Sequence, residues 1–71
     1  MILSYFVDPV LEEFLVFCFE DDDCVWEQFF ATKEDAEEFG RDYVAGYFAD
    51  GFPANSDIWK QEREVRISSD V

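Results

Sequence analysis

Carboxylates are the reactive groups this chain has in quantity, and their company limits what they can do. Eighteen Asp and Glu stand against five Lys and Arg and no histidine. Paired carboxylates can exchange protons with a substrate, but only inside a cleft, which a 71-residue chain rarely supplies. Without histidine, Ser-His-Asp and Cys-His nucleophiles are impossible. Asp21, Asp22 and Asp23 come nearest to a calcium loop. Counted from Asp21, however, Trp26 and Thr32 fall where a glycine and a bidentate glutamate are needed. Cys18 and Cys24 are two ligands short of a zinc site. A disulfide between them is possible only in a register that sets them face to face, and in a cytosolic protein the expectation is two reduced thiols acting as small apolar residues. Gly40, Gly46 and Gly51 are scattered, which leaves no phosphate-binding loop. The expectation is a protein without catalysis, cofactor or metal.

The acids are unevenly distributed. Residues 1–58 hold 15 of the 18 acids against only Lys33 and Arg41, whereas residues 59–71 set three acids against three bases. The whole net charge of −13 therefore resides in the first four-fifths of the chain. Such a field repels nucleic acid and anionic membranes and attracts basic surfaces, at a cost in self-repulsion. Solubility alone needs only ~2–8 net charges in a small domain.

The elements that must position these groups follow from apolar periodicity. Thr32 to Asp50 reads as one amphipathic helix. Thr32 caps the Asp35 N–H, and Ala36, Phe39, Gly40, Tyr43 and Tyr47 share one face. Gly51 suits a left-handed cap, with Pro53 stopping continuation. The outer face carries Glu34, Glu38 and Asp42 at steps of four, with Glu37 and Arg41 alongside. Acids in the first turn benefit from the helix dipole. Glu38 and Asp42 do not, and like charges four apart repel.

Glu13 to Glu20 and Cys24 to Ala31 are the clearest strands, joined by the acidic turn Glu20–Asp23 in an antiparallel hairpin. Alternation sets Phe14, Val16 and Cys18 against Leu15, Phe17 and Phe19, and Cys24, Trp26 and Phe30 against Val25 and Phe29. Both faces are apolar, so both need cover, and a single helix covers only one. The N-terminal segment, the 48–52 region, a second copy or a partner must supply the other. Ile2 to Val7 reads as a first strand. Asp8 to Glu13 is either a tight connection or one helical turn. Asp57 to Ile67 reads as a last strand with Trp59 on its inner side. The expected fold is a single α+β domain, residues 1–71, with a small antiparallel β-sheet packed against one long α-helix in the order β-β-β-α-β. Fourteen aromatics, 20% of the chain, supply its core. No apolar stretch is long enough for a membrane span and the N-terminus lacks a signal peptide's basic region, so a cytoplasmic location is expected.

Carboxylates four apart on a helix rise ~6 Å along its axis, of the same order as the ~3.4 Å of axis per phosphate on a DNA strand. Small size, extreme acidity, dense aromatics and the lack of catalytic groups together resemble the phage-encoded DNA-mimic inhibitors, the anti-restriction and anti-CRISPR proteins. The acidic inhibitors of type I CRISPR surveillance complexes are the nearest. The resemblance lies in character over the whole chain and implies occupation of the DNA-binding surface of a Cas protein or restriction enzyme in a bacterial host. It implies no direct binding of nucleic acid and fits a monomer or a homodimer. The candidate contact residues come from charge alone: Glu20, Asp21, Asp22, Asp23, Glu34, Glu37, Glu38, Asp42 and Asp50, with Asp8 and Glu27 as extensions. The competing expectation is an acidic adaptor whose aromatics, such as Trp26, Phe29 or Trp59, are the hot spots. In a decoy, charge reversal of Glu38 and Asp42 should weaken binding more than truncation of any exposed aromatic.

Overall fold

The structure is a computed structural model that describes residues 1–53 and 55–61. Three eight-residue strands, β1 (Leu3–Val10), β2 (Glu13–Glu20) and β3 (Asp23–Phe30), form an antiparallel sheet in sequence order. The 12-residue helix α1 (Lys33–Val44) packs across one face, mainly on β1 and β2. A short second helix, α2, covers residues 56–61. The result is a two-layer slab with principal extents of 38 × 31 × 17 Å.

The strand segment expected at Ile2–Val7 extends through Asp8-Pro9 to Val10, so the connection is tight and contains no helical turn. Pro9 is tolerated because β1 is an edge strand. Both hairpins close through two-residue loops, Leu11-Glu12 and Asp21-Asp22, with the first residue of each at positive φ (58° and 53°). Asp tolerates that conformation well. Leu does so at a cost, and Leu11 is fully exposed.

α1 begins as expected, with the Asp35 N–H donating to Thr32 Oγ1 at 3.2 Å. It stops six residues earlier than its expected end at Asp50. Ala45 is the C-cap, and Gly46 at φ 93° supplies the left-handed residue assigned to Gly51. Tyr47 thereby leaves the buried face and is exposed. The segment after α1 folds back and inserts Phe48 and Phe52 between helix and sheet.

The start of the expected last strand, residues 57–61, is helical instead, within a turn that begins at residue 56, and the rest of that strand lies outside the described residues. Asn55 caps this turn, its Oδ1 accepting from the Ile58 N–H at 3.0 Å. Within residues 57–61 the alternation is too short to tell the two periods apart, whereas the cap favours helix.

The core lies between the layers. Phe39 is its hub, with ring centroids 5.0 Å from Phe30, 4.7 Å from Phe48 and 5.5 Å from Trp59. Trp26 stacks on Phe52 at 4.7 Å. Val16, Cys18, Ala36 and Tyr43 complete it, and Tyr43 Oη donates to the Phe19 carbonyl at 2.7 Å. Gly40 has a packing reason: the Tyr5 ring lies against it, and a Cβ there would overlap that ring. Gly40→Ala should therefore destabilise the fold by ~1–3 kcal/mol from overpacking, less the ~1 kcal/mol that Ala gains in helix propensity. A urea midpoint above that of the parent would contradict this packing.

The thiols are unbonded, Cys18 buried and Cys24 exposed. A bulge between Cys18 and Phe19 sets Trp26 opposite Cys18 and Cys24 opposite Phe19. Burial, reinforced by the charge of Cys24, pushes the Cys18 thiol up from 9.0 to about 12. Tyr5 is raised by its hydrogen bond to Glu37, and Tyr43 by burial. All three are held protonated more tightly in the folded state than in the unfolded chain. Their contribution is thus fully present below about pH 9 and is lost as pH rises towards about 12. The urea midpoint should fall steadily across that window, and a midpoint unchanged up to pH 11 would count against this burial.

Candidate protein-interaction surface

Asp35, Glu37 and Asp42 of the helical layer are engaged by internal contacts. Asp42, expected on the outer row, is only 6% exposed, and its Oδ2 accepts from Trp59 Nε1 at 2.8 Å. Asp35 accepts from Lys60 Nζ at 2.9 Å. Consecutive residues of α2 therefore dock on two carboxylates two turns apart along one flank of α1. Glu37 is half-buried and accepts from Tyr5 Oη at 2.9 Å. Glu38 is half-buried. Only Glu34 of the expected row is exposed, so Glu34, Glu38 and Asp42 do not form an external line. Asp50 is exposed in the loop between Phe48 and Phe52. Trp59, 1% exposed, is a core residue and cannot be a contact hot spot.

The sheet layer is different. Residues 1–30 carry eight acids, Asp8, Glu12, Glu13, Glu20, Asp21, Asp22, Asp23 and Glu27, and no Lys or Arg. All but the half-buried Asp8 are exposed. Glu20 to Asp23 remain together around the β2–β3 loop. There the Ile2 N–H donates to Asp21 Oδ1 at 2.9 Å and the Asp21 N–H to the Ile2 carbonyl at 2.7 Å, which ties the N-terminus to the acidic turn. Glu12 and Glu13 occupy the opposite end, a strand length of ~26 Å away. The described basic side chains, Lys33, Arg41 and Lys60, all belong to the helical layer. The uncompensated charge therefore concentrates on the sheet layer, not on the helix.

The outer face of that sheet has no cover among the described residues. Residues 1–12 form a strand within the sheet and its first loop instead of folding over the sheet. Phe6 is 58% exposed and Phe29 51%. Phe17 sits between Phe6 and Phe19, with ring centroids at 6.4 and 6.5 Å. The register places Phe6, Phe17 and Glu27 in one cross-strand row and Asp8, Leu15 and Phe29 in the next. Beside Phe29, a pocket of about 570 Å³ is lined by Val10, Leu11, Glu12 and Glu13. Sequence reasoning missed this pocket. The apolar pair Val10-Leu11 running into a hairpin loop was the available signal.

Among the described residues, no cluster of three or more His, Cys, Asp or Glu is placed to hold a metal ion, and no helix is long and apolar enough to cross a membrane. No family model, curated protein or solved structure matches the chain.

Proposed function

We propose that the protein is a non-catalytic acidic inhibitor that occupies the DNA-binding surface of another protein and blocks capture of target DNA. A CRISPR surveillance complex is the foremost target and a restriction enzyme the second. The observation that carries this reading is the sheet layer, with eight carboxylates and no basic side chain over a length of ~26 Å. At one phosphate per ~3.4 Å, a single DNA strand presents a similar number over that distance. A stiff aromatic core holds these acids in fixed positions against their mutual repulsion. Lysines and arginines that grip a phosphate backbone would find a comparable density of anions here.

The test is order-of-addition competition on a purified type I surveillance complex with a fluorescent target duplex. Protein added first should prevent duplex binding, and protein added in excess should displace bound duplex. Simultaneous binding of protein and duplex would refute the reading. A second reading, an acidic adaptor that binds through its aromatics, is favoured by the exposure of Phe6 and Phe29 on the open sheet face.

A further inference from the structure

We infer that the face of the sheet left uncovered by the described residues is a docking site for a basic amphipathic helix of a partner protein. The inference rests on the second reading above, and the displacement of DNA is not needed for it. Phe29 and Leu15 lie in one cross-strand row, and Phe17 and Phe6 in the next, so the four form a diagonal apolar stripe across all three strands. The two remaining corners of those rows are both carboxylates, Asp8 on β1 and Glu27 on β3. An acid therefore flanks the stripe on each side.

Two strand spacings of ~4.8 Å and one row step of ~6.8 Å separate Asp8 from Glu27, which gives ~12 Å between their Cα atoms. A helix with its side chains is ~10–12 Å across, so it fits between them. Its apolar ridge would lie on the phenylalanines, and Lys or Arg on both flanks would reach Asp8 and Glu27. The pocket beside Phe29 would take one large apolar anchor, with Glu12 and Glu13 at its rim for a further cation. Leu11 at that rim is fully exposed at a positive φ of 58°, an apolar side chain held outward in a conformation that costs energy.

Charge also selects the occupant. A second copy of this chain would oppose Asp8 and Glu27 to acids of its own, and no basic side chain lies on residues 1–32 to offset them. An acidic or neutral helix would leave both carboxylates without a counterpart. A basic helix satisfies the whole face.

The probe is a fluorescein-labelled synthetic helix with Leu at i, i+3, i+4 and i+7 and Lys or Arg on both sides. Its control is a peptide of the same composition with the leucine positions scrambled. Against the full chain, the patterned peptide should bind at least about tenfold more tightly than the control in fluorescence anisotropy. Phe29→Ser and Glu27→Lys, both at exposed positions, should each weaken it by about fivefold or more. In the wild-type protein, amide shifts should move at Phe6, Leu15, Phe17 and Phe29 and stay fixed along α1. Equal binding of the two peptides, or shifts confined to the acidic loops, would overturn the inference. A wild-type dimer in sedimentation that Phe29→Ser dissociates would do the same, because a second copy would then own the face. Failure here with DNA displacement intact removes this site alone.

Discussion

Phe39→Ala should leave much of the chain unfolded at 25 °C. The ring is fully buried and touches Phe30, Phe48 and Trp59, so it joins the sheet, α1, the returning loop and α2 at one point. Truncation of a buried Phe costs ~3–5 kcal/mol through lost transfer energy and the cavity left behind. At ~0.05–0.15 kcal/mol per residue, a domain of this length holds only ~4–10 kcal/mol in total. Near-UV circular dichroism and a urea titration would measure the loss. Phe29→Ala is the control, because that ring is half in water and its removal opens no cavity. A Phe39→Ala midpoint indistinguishable from that of Phe29→Ala would mean that the core is centred elsewhere.

The second large effect concerns binding. Neutralising Glu12, Glu13, Asp22 and Asp23 to Gln or Asn should weaken inhibition of the target by about 30- to 1000-fold. This follows from ~0.5–1 kcal/mol for each of four exposed charge contacts. Folding should be unharmed or improved, because like charges are removed from one layer. Asp42→Ala should behave in the opposite way. It leaves Trp59 Nε1 buried without this acceptor, which costs ~1–3 kcal/mol of stability, while affinity stays at the parent value. Equal losses of affinity in the two variants would show that the two layers had been assigned the wrong roles.

Much of this architecture was legible in the chain. Two strands dense in Val and Phe around three aspartates gave the β2–β3 hairpin, and Thr32 gave the start of α1. Apolar residues at both parities of those strands announced a second face in need of cover, and Phe6 and Phe29 lie on it. The end of α1 was misplaced because Gly46 and Gly51 are both plausible left-handed caps, and only the packing of Phe48 and Phe52 chooses between them. Asp42 was misassigned for a longer-range reason. On a helical wheel it borders the outer face, and its burial depends on Trp59, 17 residues further on, which local periodicity cannot reveal. The shift of the candidate surface from helix to sheet has the same origin. Local reading counts acids, but Lys60, Tyr5 and Trp59 decide which of them are already engaged.

In the proposed function the sheet layer acts through uncompensated charge fixed in place. The most direct measurement is the affinity of the 71-residue chain for its purified target complex across a salt series. From about 50 to about 200 mM salt, affinity should fall by at least about tenfold, and neutralising the four sheet-layer acids should remove most of that dependence. An affinity that stays flat across the series, or a salt dependence that survives the neutralisation unchanged, would contradict the account.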